Sequence, residues 1–421
     1  MLAATHGSRT IQLESMDGSF PPTKGTTMAS YRYISADSHM EVSPDRWTDR
    51  VAKKWRDRAP RRINLPDGGT ATLIENRPLV ISGLDISTGG GDHHQISAHQ
   101  MAYDTAPGTG SPEQRLKEQD IDNLEAEVLF AGTGGPGFWR GVSNNEAYES
   151  IIHAWNEFCI EDYASVAPNR LIPLGIIPQS SIDAAVTELE YCAKAGFKGV
   201  WLSGFPSNAP YPVPEDDRFW EAAVETGIAI TTHLSWCTPG TGPTFNYARK
   251  VESSFGDDPI RRINKFAQRS GWGTLPLIFS GIFDRLPGLT LGHLENQLGW
   301  IPHWLDSADD EYDRHMAWMD QFLGVKPLAR KPSEYILDHT WWGFIFNPSG
   351  VKMRHIIGVD KCLWSTDMPH FHSDWPNSMA KGDEQFEGVS EEDRFLMVRG
   401  NVIERFHLDT DGPKSLAEAN G

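Results

Sequence analysis

In the run Ile34-Ser35-Ala36-Asp37-Ser38-His39, Asp37 and His39 stand two residues apart and both carry ligand-type side chains. On an extended backbone such a pair points to one side and can grip a single cation. Asp and His are as common at strand ends as turn-formers and caps, so this pair alone leaves both readings open. A second apolar run, Ile228-Ala229-Ile230-Thr231-Thr232-His233, ends in a histidine, and Leu291-Gly292-His293-Leu294 repeats the arrangement one unit later. One histidine so placed is more often hydrogen-bonded structure than a ligand. The fourth run, Cys362-Leu363-Trp364-Ser365-Thr366-Asp367, stops at an aspartate before Met368-Pro369-His370. Taken together the four change the reading, because the C-terminal ends of the strands of a closed barrel converge on one point. Four ligand-type residues at such ends lie within reach of one divalent ion, Zn, Mn or Fe. An ion held there lowers the pKa of a bound water and polarises a substrate oxygen.

Convergence requires a barrel. From about residue 120 onward, short β-branched or apolar runs alternate with stretches of helical period, as in βα units around a parallel sheet, which form a barrel or an open doubly wound sheet. The strand candidates are Tyr33–Asp37, Glu127–Ala131, Leu171–Pro178, Gly199–Ser203, Ile228–His233, Thr290–Leu294, Tyr335–Leu337 and Cys362–Asp367. Their number is that of an α/β fold of the (β/α)8 TIM-barrel type. Two helices between strands are well marked. After the N-cap Ser181, residues Ile182, Ala185, Val186, Leu189 and Cys192 form one stripe that ends near Gly196. Over Asp216–Thr226, Phe219, Trp220, Ala223 and Val224 are spaced helically before Gly227.

More than 80 residues separate the first two strand candidates, and they include Thr88-Gly89-Gly90-Gly91-Asp92-His93-His94. That is too long for a simple βα loop, so residues 56–115 are expected to form a cap, with His93, His94 or His99 facing the site or solvent. Residues 1–30 and 409–421 read as flexible tails around a barrel spanning 31–408. The first tail has no apolar stretch of the kind a signal peptide or anchor needs. Trp341 and Trp342 fit an aromatic pocket wall and a packed interior equally well.

The balance of 38 Lys and Arg against 57 Asp and Glu gives a net charge of −19. A surface of that sign repels phosphate backbones and acidic headgroups, so neither nucleic acid nor membrane is expected as a partner. A small-molecule substrate and a homo-oligomer are. Four scattered cysteines without CxxC spacing suit a reducing, cytoplasmic setting.

From Tyr31 to Phe406 the chain resembles the amidohydrolase superfamily. More narrowly it is similar to the amidohydrolase-related subfamily that includes aminocarboxymuconate semialdehyde decarboxylase and the resorcylate and vanillate-type decarboxylases. The motifs that carry this are Asp37-Ser38-His39, Phe219-Trp220-Glu221-Ala222-Ala223 leading to Thr232-His233, Ser280-Gly281-Ile282-Phe283-Asp284-Arg285-Leu286-Pro287 before His293, and Ser365-Thr366-Asp367-Met368-Pro369-His370. The resemblance implies metal ligands at Asp37, His39, His233 and Asp367, and catalytic roles for His293 and Asp367. His370, Glu295 and Trp201 are further candidates for contacts to the ligands or the substrate. Two departures stand out. The opening motif is Asp-x-His where relatives often have His-x-His or Glu-x-His; this leaves the ion open among Zn, Mn and Fe, with a second carboxylate tilting it somewhat toward Mn²⁺ or Fe²⁺. His293-Leu294-Glu295-Asn296 replaces the His-Gly-Gly of many relatives. The resemblance leans toward a lyase of the decarboxylase or hydratase type acting on a carboxylated, aromatic substrate. Hydrolysis of an amide, ester or C–C bond by metal-activated water is the alternative on the same ligands.

Overall fold

A computed structural model of the chain describes residues 30–66, 68–75, 80–81, 102–104, 106–132, 141–234, 236, 271 and 273–420. The first barrel strand, Tyr33–Met40, is buried at every position. Burial on both faces follows from its place between the barrel interior and an outer layer of helices. It pairs in parallel with the second strand, Leu124–Ala131, which pairs with Leu171–Pro173. The third strand then changes partner. Leu174 N still donates to Leu129 O at 3.0 Å, while Gly175–Ile176 pairs with the fourth strand, Gly199–Leu202. Parallel pairing continues through Ala229–Thr232, Leu291–His293, Thr340–Phe344 and Cys362–Trp364. Main-chain bonds past the eighth strand close the circle: Asp367 N to Asp37 O at 2.8 Å and His39 N to Met368 O at 2.7 Å. The expected eight-stranded barrel is therefore formed.

The seventh strand is displaced from its expected place. Tyr335–Leu337 lies inside a helix, Pro332–His339, and the strand is Thr340–Phe344. A three-residue apolar run has no period of its own. Here Pro332 starts a helix, Lys331 N is capped by Glu334 Oε2 at 2.9 Å, and Tyr335, Ile336 and His339 form its buried side. The β-forming Thr340-Trp341-Trp342 that follows supplies the strand.

Inside the barrel, Ile34, Ala36, Ala126, Val128, Phe130, Ile172, Leu174, Leu294, Trp341 and Leu363 pack with Val402, Phe406 and Leu408 from the C-terminal region. Trp341 is thus core, and it sets the identity of its neighbour: a Cβ on Gly292 would lie 2.1 Å from its ring. The final residues are tied to this base. Arg399 pairs with Glu125, its Nε donates to Pro413 O, and Gly412 N donates to Glu125 Oε1. After the first strand, Arg61–Asn64, Thr70–Leu73 and Val80–Ile81 form a small antiparallel sheet. His93, His94 and His99 lie outside the described residues. Among the described residues no helix is long and apolar enough to cross a membrane.

Asp122 caps the helix Pro112–Ile121, and its Oδ1 accepts Ser378 N at 2.7 Å. Burial pushes its carboxyl up to about 7, against the lowering effect of the Ser378 hydrogen bonds. The folded chain therefore holds a proton here that the unfolded chain, with an ordinary carboxylate, releases at lower pH. This contribution to stability is complete below the unfolded pKa and is lost as pH rises through about 7. Asp122→Asn keeps the acceptor for Ser378 and removes the titration. Its Tm should fall less than that of the wild type between pH 4 and 7, and parallel pH profiles would show Asp122 to be an ordinary carboxylate.

Candidate metal centre

The close of the barrel brings ligand-type side chains together. His39 Nε2 lies 3.1 Å from Asp367 Oδ1 and 3.5 Å from Asp37 Oδ1, and His233 Nε2 lies 3.4 Å from Asp37 Oδ2. Asp37, His39 and His233 each offer a donor atom within 4.8 Å of the others, as do His39, Asp367 and His370. The four residues the resemblance names as ligands therefore form one connected group. Asp37, His39 and Asp367 are almost wholly buried.

Local structure aims these groups. His39 Nδ1 stands 3.2 Å from the Ala131 carbonyl, an acceptor only, so Nδ1 carries the proton and Nε2 is left with its lone pair facing the carboxylates. Asp367 has φ 54°, in the left-handed region. That conformation costs about 1–3 kcal/mol for a residue other than glycine, and the bond from its N–H to Asp37 O holds it. His233 is set from its far side, with Nδ1 3.5 Å from Glu295 Oε2.

Asp37 Oδ2, His39 Nε2 and both carboxylate oxygens of Asp367 are buried without a hydrogen-bond partner. Leaving ionised oxygens unpaired in the interior costs several kcal/mol each. Acceptor atoms on several residues facing one another have a common remedy, a divalent cation. The residues thus fit the ion that the sequence implied.

The electrostatics run the same way. Burial alone would raise the Asp367 pKa, but the charge and hydrogen bond of His370 outweigh it and hold the carboxyl well below the usual range. Burial opposes protonation of His370, and Asp367 and Glu41 overcome it, so its pKa lies well above the ordinary value. His233 is raised in the same sense, with Asp37 overcoming burial. His370 is held from both sides, Nδ1 3.2 Å from Asp367 Oδ1 and Nε2 2.9 Å from Glu41 Oε1.

His293 is not brought into this group. Leu294 belongs to the barrel interior and Gly292 meets the core ring of Trp341. Strand alternation therefore sends His293 the other way. Its Nδ1 lies 2.7 Å from Thr232 Oγ1 and its Nε2 3.0 Å from Thr274 Oγ1, beside the ring of Trp342. Burial lowers its pKa to about 3, so it is a neutral group at physiological pH. Trp201 stands beside the centre, its ring 5.7 Å from His233, and Phe130 is closer at 4.8 Å. Sequence reasoning missed Glu41 and His372. Both carried a signal: Glu41 extends the period-two set Asp37, His39 by one step, and His372 repeats His370 two residues on.

Beneath the centre lies Arg115, fully buried and forked onto Glu127 at 2.7 and 2.9 Å. Its remaining donors reach the main-chain oxygens of His39 and Met368, both at 3.1 Å. Glu127 also accepts from Ser38 Oγ at 2.9 Å, and Ser38 meets Thr366 at the same distance. One guanidinium thus ties together the strand ends that carry Asp37, His39 and Asp367.

A closed (β/α)8 barrel with carboxylates and imidazoles gathered at the C-terminal ends of its first, fifth and eighth strands defines a metal-dependent barrel enzyme. The sequence profile of the amidohydrolase family matches residues 96–407, and the chain belongs to that family. Gamma-resorcylate decarboxylase of Rhodococcus jostii is 27% identical over 313 residues, 70% of this chain and 87% of the relative. An amidohydrolase structure from Mycobacterium avium subsp. paratuberculosis superposes with a TM-score of 0.66 at 19% identity, covering 89% of this chain and 99% of that one. The 5-carboxyvanillate decarboxylase of Novosphingobium aromaticivorans, complexed with manganese and 4-hydroxy-3-methoxy-5-nitrobenzoic acid, gives 0.62 at 16% identity over 90% and 96%. These two structures share the fold.

Arg115→Met strands the buried Glu127 charge and should cost about 3–5 kcal/mol of stability. It should also weaken metal binding about 10–100-fold, as when ligand-orienting partners are lost. Denaturation and chelator competition measure the two effects. A destabilised variant with wild-type metal affinity would confine Arg115 to a structural role.

Proposed function

We propose that this chain is a divalent-metal-dependent decarboxylase of hydroxylated aromatic carboxylates. The observation that carries the reading is Asp367: a buried carboxylate shared between the ligand cluster and a chain through His370 to Glu41. Such a group can exchange a proton with solvent on one side and with substrate on the other. The names of the relatives supply the reaction class. The Rhodococcus protein is a resorcylate decarboxylase and the Novosphingobium one a carboxyvanillate decarboxylase.

Asp37, His39, His233 and Asp367 hold the ion in this proposal. Two carboxylates among four donors favour Mn²⁺ or Fe²⁺ over Zn²⁺, and manganese occupies the Novosphingobium structure. The bound ion supplies Lewis acidity toward the carboxylate and neighbouring hydroxyl of the substrate. Asp367 then relays the proton held on His370 to the ring carbon as the carbon–carboxylate bond breaks, so one proton enters for each CO2 that leaves. His370 passes the replacement proton from the side of Glu41. Phe130 and Trp201 wall the centre with apolar surface. His293 acts in this scheme as a neutral hydrogen-bonding group, since it is not an imidazolium acid at physiological pH.

The small sheet after the first strand supports the proposed cap over residues 56–115. Glu75, between the second and third strands of that sheet, accepts from Ser143 N at 2.8 Å, in the connection beyond the C-terminal end of the second barrel strand. Exposed Trp318 and Phe322, one turn apart on the helix Ile301–Leu323, support a homo-oligomer. The free, buried Cys159, Cys192 and Cys362 support a cytoplasmic setting.

Mn²⁺-loaded protein should release CO2 from ortho-hydroxybenzoates such as 2,6-dihydroxybenzoate, and chelator-stripped protein should not. Ester or amide hydrolysis with no CO2 from any hydroxybenzoate would replace the lyase by a hydrolase. Asp367→Asn should be inactive even with excess metal, because it loses the proton carrier as well as a ligand. His293→Ala should keep its metal, because His293 lies outside the ligand group, and should lower turnover by about 10²–10³-fold, the scale for losing one neutral hydrogen-bonding group. A loss of less than about tenfold, well short of that range, would leave His293 as packing.

A further inference from the structure

Asp367 offers its two carboxylate oxygens to two different sets of donors. Oδ1 faces His39 Nε2 at 3.1 Å and His370 Nδ1 at 3.2 Å. Oδ2 lies 3.8 Å from His372 Nδ1, which is also 3.8 Å from Glu295 Oε1. Glu295, Asp367 and His372 each present a donor atom within 4.8 Å of the other two. Donors bonded to one cation at about 2.0–2.2 Å stand at most about 4.4 Å apart. The 3.8 Å spacings from His372 to both carboxylates therefore fit a shared ion. Asp367 is fully buried and neither of its oxygens has a hydrogen-bond partner. Once Oδ1 serves the ion of Asp37, His39 and His233, Oδ2 remains aimed at His372 and Glu295.

We propose that Glu295, Asp367 and His372 form a second divalent-cation site, with Asp367 bridging the two ions through its two oxygens. Glu295 also couples the sites, because its other oxygen, Oε2, lies 3.5 Å from His233 Nδ1. Two carboxylates and one imidazole make this a site for Mn²⁺, Fe²⁺ or Zn²⁺ rather than for a soft ion. The His372 side chain is 44% exposed, so the second ion sits at the solvent side of the mouth. It binds more weakly than the first, whose donors are buried. Ions joined by one carboxylate stand near the separation, about 3.5–4 Å, at which a metal pair clamps two oxygens of one substrate. The proposal goes beyond the single-ion reading. Because the second ion takes the Asp367 oxygen left free by the first, proton delivery by Asp367 belongs to the singly loaded protein.

The test is a titration of chelator-stripped full-length protein with Mn²⁺, followed by calorimetry and by electron paramagnetic resonance. The wild type should bind two equivalents, the second more weakly, and the loaded protein should show the broadened spectrum of an exchange-coupled pair. His372→Ala should retain the tight equivalent at wild-type affinity, and Glu295→Gln should retain it with affinity lowered about 10–100-fold through His233; both should lose the weak equivalent and show the hyperfine sextet of an isolated ion. Glu295→Gln keeps the shape of the side chain and His372 is half in solvent, so both variants leave the packed barrel unchanged. Saturation of the wild type at one equivalent overturns the second site and leaves the first intact. Two equivalents kept in both variants overturns the assignment to Glu295 and His372. Loss of both ions from His372→Ala places that residue in the first site and overturns the separation of the two. No binding by the wild type overturns the metal centre itself.

Discussion

Two carboxylates, Asp37 and Asp367, share one imidazole in the seam where the first and last strands meet. Both are shut away from water, and oxygens of each lack a hydrogen-bond donor. Like charges held this way repel and lose their hydration. The arrangement makes sense as half of a structure whose other half is a cation. The seam needs no regular ladder, because the bonds from Asp367 N to Asp37 O and from His39 N to Met368 O do the closing. Closure of the barrel and assembly of the ligands are one event.

The surrounding structure serves that seam. Arg115 neutralises Glu127 and fastens the main chain on both sides of it. Ser38 and Thr366 add hydroxyl bonds across the same gap. Behind the ligands, Glu295 sets His233, Glu41 sets His370, and the Ala131 carbonyl sets the tautomer of His39. His39 and His233 are thus each held from the far side, which leaves the near side open to an ion.

His293 and His370 show how environment divides histidines between roles. His370 lies between two carboxylates and favours its protonated form, whereas His293 lies among aromatic rings and two hydroxyls and stays neutral. The proposed proton movement therefore runs on the Asp367, His370 and Glu41 side of the mouth. His293 is left to hydrogen-bond without titrating.

Much of this was legible in the sequence. Asp37, His39, His233 and Asp367 were each marked by a β-forming run ending in a polar residue, and the count of such runs implied a barrel. Those are local signals, since strand propensity and side-chain alternation depend on near neighbours. Tertiary packing decided the rest. It turned Tyr335-Ile336-Leu337 into the buried side of a helix and made Thr340–Phe344 the strand, because a short apolar run takes whichever form buries it. It also set which face of the sixth strand meets the barrel axis, and so sent His293 toward Thr232 and Thr274. It brought Glu41, Glu295 and His372, from three separate connections, to the same carboxylate and imidazole groups. A sequence displays period and residue type along one chain. The distance between residues more than 300 positions apart, such as Asp37 and Asp367, exists only once the barrel closes.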